Sequence, residues 1–188
     1  MRFMVLNARL TLRNLGVVPA KQIGYPRRMD RKQLARIRIL LGIVIIGLVL
    51  SGLTAIPLRA ELRVLGKVLS VDGDGELSSL QQWIRTVRDG LIDVKERYPF
   101  MAYGTDWLAF AHFVIAVAFI GPWRDPVRNV WVIEFGLIAC VLVIPYALVM
   151  GALREIPWGW RLIDCSFGVF GFLPLWLCRR EITRHTVT

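Results

Sequence analysis

Long uncharged runs dominate the chain and set its organisation. Residues 39–58 carry no charge, and only Ser51 and Thr54 interrupt the apolar series. Residues 107–123, 130–150 and 162–178 repeat the pattern, each with one histidine or acidic intruder: His112, Glu134 and Asp164. A helix of ~20 apolar residues matches the ~30 Å hydrocarbon thickness of a bilayer. Trp107 and Trp123 bracket the second run, where interfacial aromatic residues belong. These runs lack the polar face that a soluble amphipathic helix presents. The pattern therefore predicts an all-α fold, an integral membrane bundle of four transmembrane helices. Pro145 and Pro174 fall inside spans and are expected to kink them.

A different periodicity occupies the segment 59–106. Leu77, Leu80, Ile84, Val87, Leu91 and Val94 are spaced three and four apart, while Gln81, Gln82, Arg85, Arg88, Asp89 and Lys95 fall off that stripe. This spacing predicts an amphipathic helix over about 77–97, lying on the membrane face or capping the bundle. Ahead of it, Asp72-Gly-Asp-Gly-Glu76 has the look of a calcium loop. Such a loop needs glycine at its sixth position and glutamate at its twelfth. Leu77 and Trp83 stand there instead, so the segment reads as a glycine-rich turn.

Charge then orients the spans. The 188 residues are 55% hydrophobic and 20% charged, with mean hydropathy +0.52 and formal net charge +10. Residues 1–38 hold ten Lys or Arg against Asp30 alone, whereas 59–106 hold seven against eight acidic residues. Basic residues stay on the cytoplasmic side. The bias places both termini, the arm 1–38 and the tail 179–188, in the cytoplasm, with 59–106 outside. The positive charge thus reads as a topology signal, and no nucleic-acid partner is expected. Phe3, Leu6 and Leu10 interleave with Arg2, Arg9 and Arg13, a basic amphipathic stretch suited to anionic lipid headgroups. Met29-Asp-Arg-Lys-Gln33, directly ahead of the first span, reads equally well as a native start. The first run is longer than a signal-peptide core of ~7–15 residues, so it is expected to persist as an anchor.

Candidate chemistry is sparse. No phosphate loop, dinucleotide fingerprint, paired-cysteine motif or zinc-protease motif occurs, and no motif in the sequence requires a metal or cofactor. Three cysteines, Cys140, Cys165 and Cys178, make no disulfide framework. Ionisable groups inside spans remain, and these mark functional positions by default. His112 and Asp164 lie at similar depths on two spans that run inward from the outer face, His112 about 8 Å below Trp107. Arg161, Asp164, Cys165 and Gly168 share one helix face. An outward-facing pocket of His112, Arg161, Asp164, Cys165 and Asp106 is therefore expected, with His112 touching Asp164. Its alternative reading is a polar clamp that fixes helix register. On the cytoplasmic side, Arg124, Asp125, Arg128 and Glu134 form a second candidate cluster, Glu134 pairing with Arg124 or Arg128.

Gly-Thr-Asp-Trp107, Ala-His-Phe113, Arg-Asp-Pro-Val-Arg-Asn129, Trp-Val-Ile-Glu-Phe-Gly136 and Arg-Leu-Ile-Asp-Cys-Ser-Phe-Gly168 together give residues 98–180 a further character. That stretch resembles a family of small bacterial four-helix membrane proteins with no assigned activity. The resemblance implies a bacterial cytoplasmic membrane and transfers no functional residue. The leading expectation is a non-catalytic accessory or scaffold subunit whose partners are the bilayer and other membrane proteins. The alternative is a small transporter, or a redox or cofactor-binding protein, built on the His112/Asp164/Arg161 pocket.

Overall fold

The structure, a computed structural model, describes residues 29–73 and 76–187, with side chains through Arg184. The basic stretch within residues 1–28, the centre of the glycine-rich turn and the side chain of His185 lie outside the described residues. Six α-helices are described: α1 Arg31–Ala55, α2 Leu58–Val68, α3 Ser79–Arg97, α4 Tyr103–Arg124, α5 Val130–Leu153 and α6 Trp158–Val187. A 3-10 turn, Pro99–Ala102, leads into α4. The fold is all-α, and α1, α4, α5 and α6 are long and apolar enough to cross a membrane. They contain 25, 22, 24 and 30 residues. At ~1.5 Å per residue each exceeds the ~30 Å hydrocarbon slab. The chain is a polytopic membrane protein.

Helix boundaries follow local backbone chemistry more than hydropathy. The first span was expected to reach Leu58, but α1 stops at Ala55. Pro57 cannot donate to the helix and disfavours helical backbone before it. Its carbonyl instead accepts from the N–H groups of Ala60 and Glu61, starting α2. Pro157 does the same for α6, accepting from Trp160 and Arg161. The fourth span therefore begins four residues before the expected Leu162. At its other end the helix continues through the supposed tail as far as Val187. Pro145 and Pro174 interrupt neither α5 nor α6.

Packing divides the bundle into two antiparallel helix pairs, α1 with α4 and α5 with α6, joined chiefly through α1 and α6. At the end carrying the α4–α5 turn, Ile37, Leu41, Phe119, Pro122, Ile133, Leu175, Cys178 and Ile182 are buried. Toward the opposite end, beyond Leu41, Ala116, Gly136 and Leu175, the only buried positions on the spans are Gly52, Ala109 and Gly168. One half is thus closed by large side chains. In the other, each pair is held by small residues that let backbones approach.

At that open end α2 and α3 form a hairpin with its own small core. Leu62, Val71 and Ile84 are buried, with Leu58, Leu69, Val87 and Leu91 against them. Ser78 and Gln81 make a capping box that starts α3. Gln81 Nε2 also donates to the Leu69 carbonyl at 2.7 Å. Arg88 grips the Asp72 carboxylate with two hydrogen bonds of 2.9 Å, Nη1 to Oδ2 and Nη2 to Oδ1. The apolar stripe of the expected helix is real, but it packs on α2, a helix absent from the sequence expectation.

Candidate functional site

Helix α6 carries an inward seam. Asp164, Gly168, Gly171, Leu175, Cys178 and Ile182 follow spacings of four and three, the repeat that keeps one helical face against its neighbours. Gly168, Leu175, Cys178 and Ile182 are buried. A Cβ on Gly168 would lie 2.5 Å from the Cys140 carbonyl oxygen, and one on Gly171 would lie 2.9 Å from Cys140 Sγ. The same repeat puts Asp164 on the inward face, one turn before Gly168, in the open half. Asp164 is half-buried, and among the described residues it accepts no hydrogen bond and forms no ion pair.

His112 does not meet it. Its Nδ1 lies 2.8 Å from the Leu108 carbonyl oxygen on its own helix; since a carbonyl only accepts, Nδ1 carries the hydrogen. The reason is architectural: α4 and α6 do not pack on each other, each being committed to a different partner helix. Equal depth does not by itself make two helices neighbours. Gly168 does mark a face of close approach, toward α5 and not toward His112.

The other pocket candidates also serve local structure. Arg161 Nε donates to the Ile156 carbonyl at 2.6 Å, its guanidinium lies 5.8 Å from the Trp158 ring centroid, and its stem crosses Gly151. It fastens the α5–α6 turn. Cys165 Sγ lies 3.8 Å from the Ile144 carbonyl oxygen, tying α6 to α5. Asp106 is exposed in the first turn of α4, where a carboxylate suits the helix dipole. The five residues are not gathered into one pocket.

At the closed end, Glu134 pairs with neither Arg124 nor Arg128. Arg179 Nε donates to Glu134 Oε1 at 2.8 Å, a bond made possible because α6 runs on past Cys178. The seam spacing extends to Ile182 and was the available signal for that extension. Asp125 Oδ1 accepts from the Arg128 backbone N–H at 3.0 Å, and Arg124 is exposed. Asn129, outside the expected cluster, closes the turn by donating from Nδ2 to the carbonyls of Gly121 and Asp125. Arg38, also outside it, donates from Nε to the Trp123 carbonyl at 3.2 Å and stacks 5.4 Å from that indole's centroid. These contacts join α1 to α4, shape the α4–α5 turn and tie α5 to α6. No group of three or more His, Cys, Asp or Glu suited to a metal ion occurs among the described residues.

No protein-family model, curated protein or solved structure matches the chain. The functional reading therefore rests on the bundle and its polar groups.

Proposed function

We propose that this protein is a non-catalytic accessory subunit of a larger membrane complex, and that Asp164 is where a partner helix docks. The observation that carries the reading is the unpaired carboxylate on the inward seam of α6. Asp164 lies six residues past Trp158, about 9 Å along the helix axis. A charged carboxylate within a span costs ~2.5–3.5 kcal/mol on insertion scales, and such groups pair with one another or with backbone. Nothing described in this chain supplies that pairing. A basic or hydrogen-bond-donating side chain on another protein's span, entering the open half between the two helix pairs, would supply it.

The remaining parts of the reading come from the sequence. Both termini lie in the cytoplasm of a bacterial cell, the α2–α3 hairpin faces outward, and the N-terminal arm rests on anionic lipid headgroups. The resemblance to small bacterial four-helix proteins supports the inner membrane as the location.

The test is native gel electrophoresis of the protein extracted from its own membrane in mild detergent. The wild-type chain should run in a particle much larger than 21.4 kDa plus its micelle. Asp164→Leu should release it as a free subunit, and Asp164→Asn, which still offers a hydrogen bond, should release part of it. A wild-type chain that runs free refutes the accessory reading. Release that is equal for Asp164→Leu and a lipid-facing control such as Val169→Leu refutes the role of Asp164.

A further inference from the structure

Helix α2 bears two adjacent surfaces with different chemistry. Arg59, Arg63 and Lys67 recur every four residues and form one row. Each is followed at once by an apolar residue that turns about 100° away: Ala60, Val64 and Val68. Those residues, with Leu58 and Leu65, line an open apolar groove of about 670 Å³ whose far wall is Trp160 of α6. Val64 is 62% exposed and Val68 73%.

The placement of the groove narrows its occupant. α2 begins three residues after α1 ends, and Trp160 stands two residues inside α6, so the groove opens at the ends of two spans. Aromatic residues of the open end have the composition of an interfacial belt. Tyr103, Trp107 and Phe110 stack edge to face along α4 at 5.8 and 5.6 Å, and Trp158 is 60% exposed. Charge narrows it further. The three arginines of α3 are neutralised within the hairpin, Arg85 by Asp89, Arg88 by Asp72 and Asp89, Arg97 by Asp93, which leaves Lys95 as a single base there. The basic side chains of the α2 row are in no hydrogen bond or ion pair among the described residues. Glu61 stands on the groove wall, so an anion is disfavoured in the groove and favoured beside the basic row.

We propose that α2 is an interfacial helix that binds an anionic phospholipid, the upper acyl chains filling the groove against Trp160 and the phosphate meeting Arg59, Arg63 and Lys67. An apolar face joined to a basic face is the signature of a helix lying in the headgroup plane, and long basic side chains reach outward from such a face to phosphate level. This inference is independent of Asp164 and of any protein partner.

The test uses the full chain in phosphatidylcholine vesicles containing a trace of phosphatidylglycerol or of phosphatidylcholine bearing a photoactivatable group on the acyl chain, with adducts mapped by mass spectrometry. The phosphatidylglycerol probe should label residues 56–68 and 158–160 at least about fivefold more than the phosphatidylcholine probe, the preference conferred by ~1 kcal/mol from a single base. The triple variant Arg59→Gln, Arg63→Gln, Lys67→Gln should lose that preference, while Arg85→Gln keeps it. The pair Val64→Asp, Val68→Asp should lose labelling by both probes. Equal labelling by the two probes in the wild type overturns the proposal, as does a preference that survives the triple variant. So does labelling of these segments that survives the paired aspartates.

Discussion

Among the described residues, two hold left-handed backbone without being glycine, Ser70 at φ 50° and Glu155 at φ 56°. Each ends a helix in the same way. The N–H of Val71 bonds to the Gly66 carbonyl and that of Ser70 to Lys67; Ile156 bonds to Gly151 and Glu155 to Ala152. This is the Schellman ending, for which glycine is the usual residue. A side chain there costs roughly 1–2 kcal/mol, and glycine gives back part of that through its freer unfolded chain. Glu155→Gly and Ser70→Gly should therefore each stabilise the protein by about 0.5–1 kcal/mol, read as a raised midpoint of thermal unfolding in detergent. The opposite sign is expected at Gly168. A Cβ 2.5 Å from a backbone carbonyl cannot be relieved by a side-chain rotation, so α5 and α6 must separate. Gly168→Ala should cost about 1–3 kcal/mol, the usual range for overpacking, and Gly168→Leu more.

Among the elements, the α2–α3 hairpin shows best why a pattern is legible in one helix and hidden in its neighbour. α3 has clean three-and-four spacing and sits almost where the stripe put it. α2 is only eleven residues long, and Arg59, Glu61, Arg63 and Lys67 break its apolar positions into runs of one to three residues. It reads as a charged linker until a partner stripe needs covering. The hairpin also carries a pH response. Hydrogen bonds from Arg88 hold the Asp72 carboxyl below its ordinary value of 3.8. A carboxylate with a lowered folded-state pKa stabilises above the unfolded value, and that contribution is lost as the pH falls through the folded value. Backbone amides of α3 should therefore exchange hydrogen faster as the pH is lowered below about 4, after correction for intrinsic rates. Asp72→Asn should remove most of that dependence and leave faster exchange at neutral pH. A wild-type hairpin with flat protection down to pH 2 would contradict the assignment.

Across the whole molecule, the spans and their number were readable because uncharged runs of this length have few other solutions. The polar contacts were not, because depth along a span says nothing about which helices adjoin. His112 and Asp164 were given each other wrongly, since pairing into α1–α4 and α5–α6 is decided by glycines and alanines that hydropathy cannot rank. Glu134 was given a partner in the nearest turn for the same reason. The closed end should dominate stability. Leu175→Ala removes a side chain that is 2% exposed and should cost about 2–5 kcal/mol. Arg179→Ala breaks an ion pair whose side chains are 37% and 45% exposed and should cost no more than about 1 kcal/mol. Chemical unfolding of both variants in one detergent makes the comparison, and a reversed order would mean that the bundle is held by its polar rim.

The uninterrupted length of α6 has a mechanical consequence. From Asp164 to Leu175 is eleven residues, about 17 Å of rod, and from Leu175 to Arg184 is nine, about 14 Å. Leu175 and Cys178 are clamped in the closed half, so they act as a fulcrum with Asp164 on one arm and Arg184 on the other. A tilt of about 5° about this point carries the Asp164 end by about 1.5 Å and the Arg184 end by about 1.2 Å in the opposite direction. In a straight rod, a displacement at Asp164 would therefore reach Arg184 with its direction reversed.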